Sequence, residues 1–504
     1  MPSTVSTVAG SNTPDPGGLR AAGATGIGLN GEALVWTGAI WQPSGLQPLV
    51  SPYGNSFDGV VARMQRASQF SPIRMATYGD SRANIGGGLL LAADGGYSGE
   101  KTPAVLSLLR GDLLPVFNGG ISGDTAANWN SASRISGSQA VTDCIAATPD
   151  VVVIQYGIND FIAGTSAATV YGYLQALITE FLGAGIFVVF ESTYTCAKGP
   201  ATYINGYSSS GGFSSTTTPA EYNARLAEMQ ACNALMQTWL AGFPGRALYV
   251  ETNATLAASD GFAKTDGTWY DGTHLSQVGC RIAARLINIA LAPYFGSGLV
   301  GKPLKLLSRN AVNDACITVS SGRAAGYSAG ATETGTLAYS YQVVQDASGE
   351  WCQEYTITNT TAAGTAARAR LEIVPSFVGA GTYPVLAAAD QLQASVQVYA
   401  DNGAGGAPPV HTIFARARVY YNDATNEYAQ AGGIAQQGST DHPGYSQAET
   451  LRFVLPRRAV KAAMSNSTII AGAGPATALA LIVCMNQPGT VRLRVKRAAW
   501  GKVA

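Results

Sequence analysis

The sequence predicts an α/β domain built on a parallel sheet flanked by helices, followed by an all-β sandwich or jelly roll and preceded by a short glycine-rich arm. Two changes of texture, near residues 70 and 298, divide the chain into 1–70, 71–298 and 299–504. Between them short apolar runs alternate with longer helical patterns, the signature of βαβ units. After the second, period-2 stretches recur between Gly, Asn, Asp and Pro, the signature of an antiparallel sandwich. Composition agrees. Hydrophobic residues are 46% of the 504 and net charge is zero, whereas disorder goes with low hydrophobicity and high net charge. A single core stops growing near ~250–300 residues, so more than one domain is expected.

The arm is rich in Gly, Pro and Ser and holds one strand-like stretch, around Ala33–Trp41. From Pro72 the predicted strands are Arg74–Tyr78, Pro115–Asn118, Val151–Tyr156, Ile186–Phe190 and Ala247–Glu251. The predicted helices lie near Pro103–Arg110, Ala167–Leu182, Ala220–Leu240 and Gln277–Ala292. In Ala220–Leu240 the apolar residues Leu226, Met229, Leu235 and Leu240 fall mostly at helical spacing, which buries one face. The aperiodic segment from Cys196 to Pro219 is long for a compact domain and is expected to form a rim or lid. Beyond 298 the predicted strands are Leu337–Val344, Trp351–Asn359, Arg368–Val374, Ala394–Ala400, Thr412–Tyr421, Leu451–Leu455 and Val491–Arg497. In the last, Arg492, Arg494 and Lys496 share a face, expected to be a solvated one guarding a sheet edge.

The charge balance gives no basis for a polyanion-binding surface, so nucleic acid is not an expected partner. The seven cysteines are odd in number and never in CxxC spacing, which argues against a disulfide framework and a zinc site; reduced, mostly buried thiols are expected. The first residues show neither a basic nor an apolar signal region, so no secretory signal is expected. No apolar run approaches the ~20 residues that cross a bilayer, and membrane insertion is not expected. Nothing in the sequence calls for a metal or a cofactor.

Three pieces of the α/β region fit one reaction. Tyr78-Gly79-Asp80-Ser81-Arg82 ends the first predicted strand, placing a serine at the carboxyl edge where open α/β sheets bind ligands. Tyr270-Asp271-Gly272-Thr273-His274 precedes the last helix. A carboxylate three residues before an imidazole can accept from its Nδ1–H and leave Nε2 free to take a serine proton. Asn118-Gly119-Gly120-Ile121-Ser122-Gly123-Asp124-Thr125 and Gly157-Ile158-Asn159-Asp160 each follow a strand and reach the same edge. A glycine N–H and an asparagine amide are the donors an oxyanion hole requires. Taken alone, Ser81 would read as a helix cap, Asn159-Asp160 as a turn and His274 as a structural histidine. His274 is, however, the one histidine of three that lies in this region, the others being His411 and His442.

Together these blocks resemble the SGNH (GDSL-like) hydrolase superfamily, over roughly Pro72 to Phe295. The resemblance implies a flavodoxin-like parallel sheet and a serine esterase. It makes Ser81, Asp271 and His274 the catalytic triad, and Ser81, Gly123 and Asn159 the oxyanion hole. Two positions depart from the family pattern. Arg82 replaces a small apolar residue and is expected to narrow or charge the pocket, and Arg74 interrupts the first strand.

Two other motifs are set aside. Gly326-Tyr327-Ser328-Ala329-Gly330 fits G-x-S-x-G but lacks the strand before and helix after that a nucleophile elbow needs. Gly26-Ile27-Gly28-Leu29-Asn30-Gly31 fits a dinucleotide fingerprint with no helix behind it and reads as a turn.

Aromatics near the motifs, namely Trp129, Tyr194, Tyr203, Tyr207, Phe213, Trp269 and Tyr270, lie among small polar residues, a mixture suited to sugar rings, although any one of them alone reads as a core residue. Arg82, Trp129, Tyr194 and Trp269 are the candidate substrate contacts, and an O-acetylated polysaccharide or other glycan ester is the expected substrate. The layout of arm, hydrolase and β domain resembles phage tail-spike or tail-fibre deacetylases. That resemblance implies a virion tail setting, tail components as partners and a homotrimer; extracellular location without a Sec signal is the alternative. Esterase action on small or lipid esters, and a non-catalytic glycan-binding tail protein, are the competing functions.

Overall fold

The computed structural model describes residues 73–84, 102–198, 213, 218–298, 319–373, 391–420, 445–455 and 477–503, apart from single-residue breaks. It also describes the backbone of short strands at 6–7, 25–27, 33–36, 41–43, 426–431 and 458–459. The first four of these, β1 (Ser6–Thr7), β2 (Thr25–Ile27), β3 (Ala33–Trp36) and β4 (Trp41–Pro43), form a small sheet in that order.

The α/β part runs β5 (Ile73–Gly79), α1 (Thr102–Arg110), β6 (Leu113–Gly120), α2 (Ala132–Ser136), α3 (Val141–Ala146), β7 (Val151–Gln155) and α4 (Ile158–Ile162). It continues with α5 (Ala167–Gly183), β8 (Phe187–Glu191), α6 (Pro219–Leu240), β9 (Ala247–Val250), α7 (Asn253–Leu256) and α8 (Gln277–Phe295). The five strands are all parallel, in the flavodoxin-like order β6-β5-β7-β8-β9. Both faces are covered, so the strands read as continuous apolar runs. Met75, Val151, Val153, Phe187 and Val189 face α1 and α8. Ala76, Tyr78, Val152, Ile154, Val188 and Phe190 face α3, α5 and α6. The long helices begin on side-chain caps: Ser166 accepts from the Thr169 N–H, Ser276 from Gly279, and Thr218 forms a capping box with Glu221 ahead of Pro219. The segment predicted as a rim or lid lies largely outside the described residues.

The remaining strands are β10 (Val319–Ser320), β11 (Arg323–Ala324), β12 (Ala331–Thr334), β13 (Leu337–Gln345), β14 (Trp351–Asn359), β15 (Ala367–Ile373) and β16 (Gln391–Asp401). After them come β17 (Thr412–Tyr420), β18 (Asn426–Ala431), β19 (Glu449–Val454), β20 (Arg458–Ala459), β21 (Thr477–Met485) and β22 (Gly489–Val503). β10 and β11 pair with each other and β20 pairs with β16, while the rest build a sandwich of two antiparallel sheets, β12-β15-β21-β17-β18 and β13-β14-β22-β16-β19. The face of Arg492, Arg494 and Lys496 does not guard an edge, because β22 pairs with both β14 and β16. These cations instead pair across the sheet with Asp401, Glu354, and Asp346 with Glu350.

One continuous apolar core joins the sandwich to the α1 and α8 side of the α/β sheet. A buried ion cluster lies at that junction. The Glu449 carboxylate accepts from Arg281 at 2.8 Å and from Arg285 at 2.9 Å, and the Arg281 guanidinium lies 3.8 Å from the Tyr445 ring centre. Arg281 and Glu449 are almost wholly buried. Removing one partner of such a cluster leaves uncompensated buried charge. Glu449→Ala is therefore expected to lower unfolding free energy by about 3–5 kcal/mol, read by denaturant unfolding; a loss under about 1 kcal/mol would mean the arginines find other partners.

Candidate active site

Strand order dictates which loops meet. Because β5 lies between β6 and β7, the turn holding Ser81 is flanked by the loop holding Gly123 and the turn holding Asn159. Backbone bonds stitch the three together: Asp80 N–H donates to Gln155 at 3.1 Å, and Ile121 N–H to Gly79 at 3.1 Å. The approach is close enough to require glycine. A Cβ at Gly79 would stand 1.9 Å from the Gln155 carbonyl oxygen, and its φ of +144° is one that side chains disfavour.

Ser81 occupies the turn Asp80–Ala83. Its Oγ is 2.7 Å from His274 Nε2, while His274 Nδ1 is 2.8 Å from Asp271 Oδ2. Asp271 Oδ1 accepts from the N–H groups of Thr273 at 2.9 Å and His274 at 2.7 Å, so the carboxylate folds the loop that presents the ring. Burial raises the Asp271 carboxyl, but the hydrogen bonds from the His274 ring and the two N–H groups outweigh it and hold it down to about 2. An ionised carboxylate only accepts, so Nδ1 carries the proton and the Nε2 lone pair faces the Ser81 hydroxyl. This chain of bonds can move a proton off the serine.

The donors lie on the adjoining loops. The N–H groups of Ser81 and Gly123 find no acceptor among the described residues. Gly123 is exposed, and at φ +78° it turns its loop over. Asn159 opens α4 and gives one Nδ2 hydrogen to the Asp124 carbonyl at 2.7 Å, which leaves the second to donate elsewhere. The Asp160 carboxylate accepts from Ala126 N–H at 2.7 Å and closes the same two loops together.

Three expected substrate contacts are corrected. Arg82 is 4% exposed; its guanidinium points inward, donating to the carbonyls of Tyr194, Thr195 and Thr273, so it neither narrows nor charges a pocket. Tyr194 and Trp269 are buried, packed edge to face at 5.7 Å, and the Trp269 indole N–H donates to Leu256 at 3.0 Å. Neither ring is open to a sugar. Phe213 is likewise buried, whereas Trp129 is half-buried beside the Gly123 loop. Tyr203, Tyr207 and Tyr270 lie outside the described residues. Ser328 sits in a turn before β12, with its Oγ accepting from Glu372 N–H, so no elbow forms there.

Sequence reasoning missed Arg134. This wholly buried arginine binds the Asp124 carboxylate at 2.8 Å, the Gly119 carbonyl at 2.9 Å and the Gly79 carbonyl at 2.8 Å. No local pattern signals a residue whose partners lie on two other strands.

Residues 77–282 match the GDSL-like Lipase/Acylhydrolase family. No curated protein matches the chain. Similar solved structures include a GDSL-like lipase from Bacteroides thetaiotaomicron, at 16% identity over 47% of this chain and 97% of that one, with a TM-score of 0.29. A lipase/acylhydrolase from Enterococcus faecalis is 17% identical over 44% and 95%, with a TM-score of 0.29. A Clostridium thermocellum family 3 carbohydrate esterase is 18% identical over 44% and 97%, with a TM-score of 0.29.

Two fully buried carboxyls lie behind the serine. Burial pushes Asp80 up to about 6, against the pull of the Arg82 charge and backbone N–H. It pushes Glu191 up to about 7, against hydrogen bonds from Thr252 and Gln155. A raised carboxyl stabilises the fold below its ordinary pKa, here 4.5 for Glu191, and that contribution is lost as pH rises through about 7. Glu191→Gln is therefore expected to flatten the fall in melting temperature between those pH values, with its advantage over wild type growing toward pH 8. Parallel melting curves for the two proteins across that range would refute the assignment.

Proposed function

From a chain whose residues 77–282 form a GDSL-like lipase/acylhydrolase domain, we propose a serine esterase that removes acyl groups, in particular O-acetyl groups, from a polysaccharide. The observation that carries the esterase reading is the bonded series Ser81 Oγ, His274 Nε2, His274 Nδ1, Asp271 Oδ2, with both links under 3 Å.

In the proposed reaction Ser81 Oγ attacks the ester carbonyl carbon as His274 Nε2 takes its proton. The carbonyl oxygen becomes an oxyanion held by the N–H groups of Ser81 and Gly123 and by the second Nδ2 hydrogen of Asn159. His274 returns the proton to the alkoxide as the carbon–oxygen bond breaks, releasing the alcohol and leaving an acyl-serine. Water, deprotonated by the same imidazole, then attacks; the acid leaves and Ser81 regains its hydrogen. Asp271 stays ionised and holds the ring.

The choice of substrate has separate support. Among the described residues, Ser122 and the proposed donor Gly123 are exposed and Trp129, further along the same loop, is half-buried, and such a small polar surface suits a short acyl group on a hydrated carrier. The attached sandwich suggests carbohydrate by analogy alone.

A fluorophosphonate is expected to label Ser81, located by mass spectrometry; an adduct on Ser328, or on no serine, would sink the esterase reading. Asn159→Ala is expected to slow turnover by ~10²–10³-fold with KM little changed. A changed KM with intact turnover would make Asn159 a substrate contact instead. Across an ester panel, acetate release from O-acetylated glycan should exceed activity on long-chain esters. The reverse order would assign lipid substrates.

A further inference from the structure

Two arginines bracket the nucleophile strand, each buried and each spending its donors on backbone carbonyls near the site. Arg82 follows Ser81 directly. Its Nε and Nη2 reach the Thr273 carbonyl at 3.0 and 2.8 Å, its Nη2 also reaches Thr195 at 2.8 Å, and its Nη1 reaches Tyr194. The guanidinium lies 4.1 Å from the Tyr194 ring centre and 5.9 Å from that of Trp269. Thr273 sits between Asp271 and His274, so one side chain ties the serine's turn to the loop of the base and to the chain leaving β8. Arg134 does the corresponding work on the other flank. It binds the carboxylate of Asp124, the residue after Gly123, whose carbonyl in turn holds the Asn159 amide at 2.7 Å. It also holds the Gly79 and Gly119 carbonyls at the ends of β5 and β6, and Tyr156 Oη at 3.1 Å.

We propose that Arg82 and Arg134 are the positioning residues of the site, with divided duties: Arg82 sets Ser81 against His274, and Arg134 sets Gly123 and Asn159 as oxyanion donors. The proposal rests on the esterase reading above. Its physical basis is the fork of five N–H donors in a rigid plane, which can address carbonyls on separate segments at once. An ammonium is a point charge with three donors and cannot span Tyr194, Thr195 and Thr273 together. Lysine at either position is therefore not a conservative change.

The test uses the full chain, a fluorophosphonate and p-nitrophenyl acetate. Labelling of wild-type Ser81 comes first; if it fails, the esterase reading falls and this inference with it. Given labelling, Arg82→Lys is expected to lower kcat by ~10–10²-fold, since small misplacements of reacting groups have effects of this order. It should also move the acid limb of the kcat/KM profile to lower pH, because a loosened Asp271–His274 pair stabilises the protonated ring less. Arg134→Lys should lower kcat by ~10–10²-fold with that limb unmoved. Its effect should also be absorbed in part by Asn159→Ala, the remainder being its hold on Gly123, so that the loss in the double variant falls short of the product of the two single losses. Arg82→Lys with Asn159→Ala should instead multiply. Should a lysine variant not fold, milder changes decide. Tyr194→Leu removes only the ring under Arg82 and should move the limb the same way by less. Tyr156→Phe removes one Arg134 partner and should lower kcat without moving the limb. An unmoved acid limb on the Arg82 side, or full multiplication of Arg134→Lys with Asn159→Ala, overturns the division of duties.

Discussion

Everything at the carboxyl edge of the α/β sheet depends on how closely β5 and β7 run as they end. Gly79 passes so near the Gln155 carbonyl that no side chain fits between them. The next residue can then donate its N–H to that same oxygen. This fixes Asp80, and Asp80 fixes the turn: its Oδ1 takes the Arg82 N–H at 2.9 Å, and its carbonyl takes that of Ala83 at 3.2 Å. Ser81 stands at the top of a turn whose other members are all committed to the backbone. Its hydroxyl is left to face the imidazole.

A closely packed strand end creates a difficulty that the arginines resolve. Loops leaving parallel strands carry carbonyls with no ladder partner, and burying them unpaired is expensive. Those of Gly79, Gly119, Tyr194, Thr195 and Thr273 all belong to this edge, and each receives a guanidinium hydrogen from Arg82 or Arg134. The cations are balanced differently. Arg134 meets the Asp124 carboxylate directly, whereas Arg82 lies over the Tyr194 ring and within the field of Asp80 and Glu191. Buried carboxyls that resist ionisation beside a buried cation form one electrostatic unit. Its members stand at strand ends that the chain visits far apart.

Local chemistry was legible and distant chemistry was not. The alternation from Ile73 to Phe295 locates every strand and long helix among the described residues of the α/β part, because period and capping residues act within a few positions. The short helices α2, α3, α4 and α7 carried too few turns to show a period. In the sandwich, β21 escaped notice for the opposite reason. It pairs on both sides and is buried on both faces over Leu479–Met485, a stretch with no polar alternation to mark it as a strand. The same blindness to partners explains the misjudged residues. Sequence offers Arg82, Tyr194 and Trp269 as substrate contacts, and for the two rings core packing as well, because neighbours in sequence say nothing about which carbonyl a guanidinium finds or which ring the core encloses. Arg492 and Lys496 were placed on an edge because pairing order is invisible in one strand.

The placement of the imidazole also depends on the second half of the chain. His274 lies three residues before α8, whose first turn is held by Ser276, its Oγ donating to Gly267 at 2.6 Å and accepting from Gly279 at 3.2 Å. Gln277 then contacts His411 of the sandwich at 3.4 Å, and Arg281 and Arg285, further along the helix, bind Glu449. The face of α8 toward the sheet, through Ala283, Ala284, Ile287 and Leu291, belongs to the same apolar core as the sandwich. The loop that carries the imidazole thus leads into a helix packed between the α/β sheet and the sandwich, with a buried ion cluster along that helix. Its distance to Ser81 depends on the junction as well as on the loop. The sandwich is on this argument part of the framework of the site, independent of any ligand it binds.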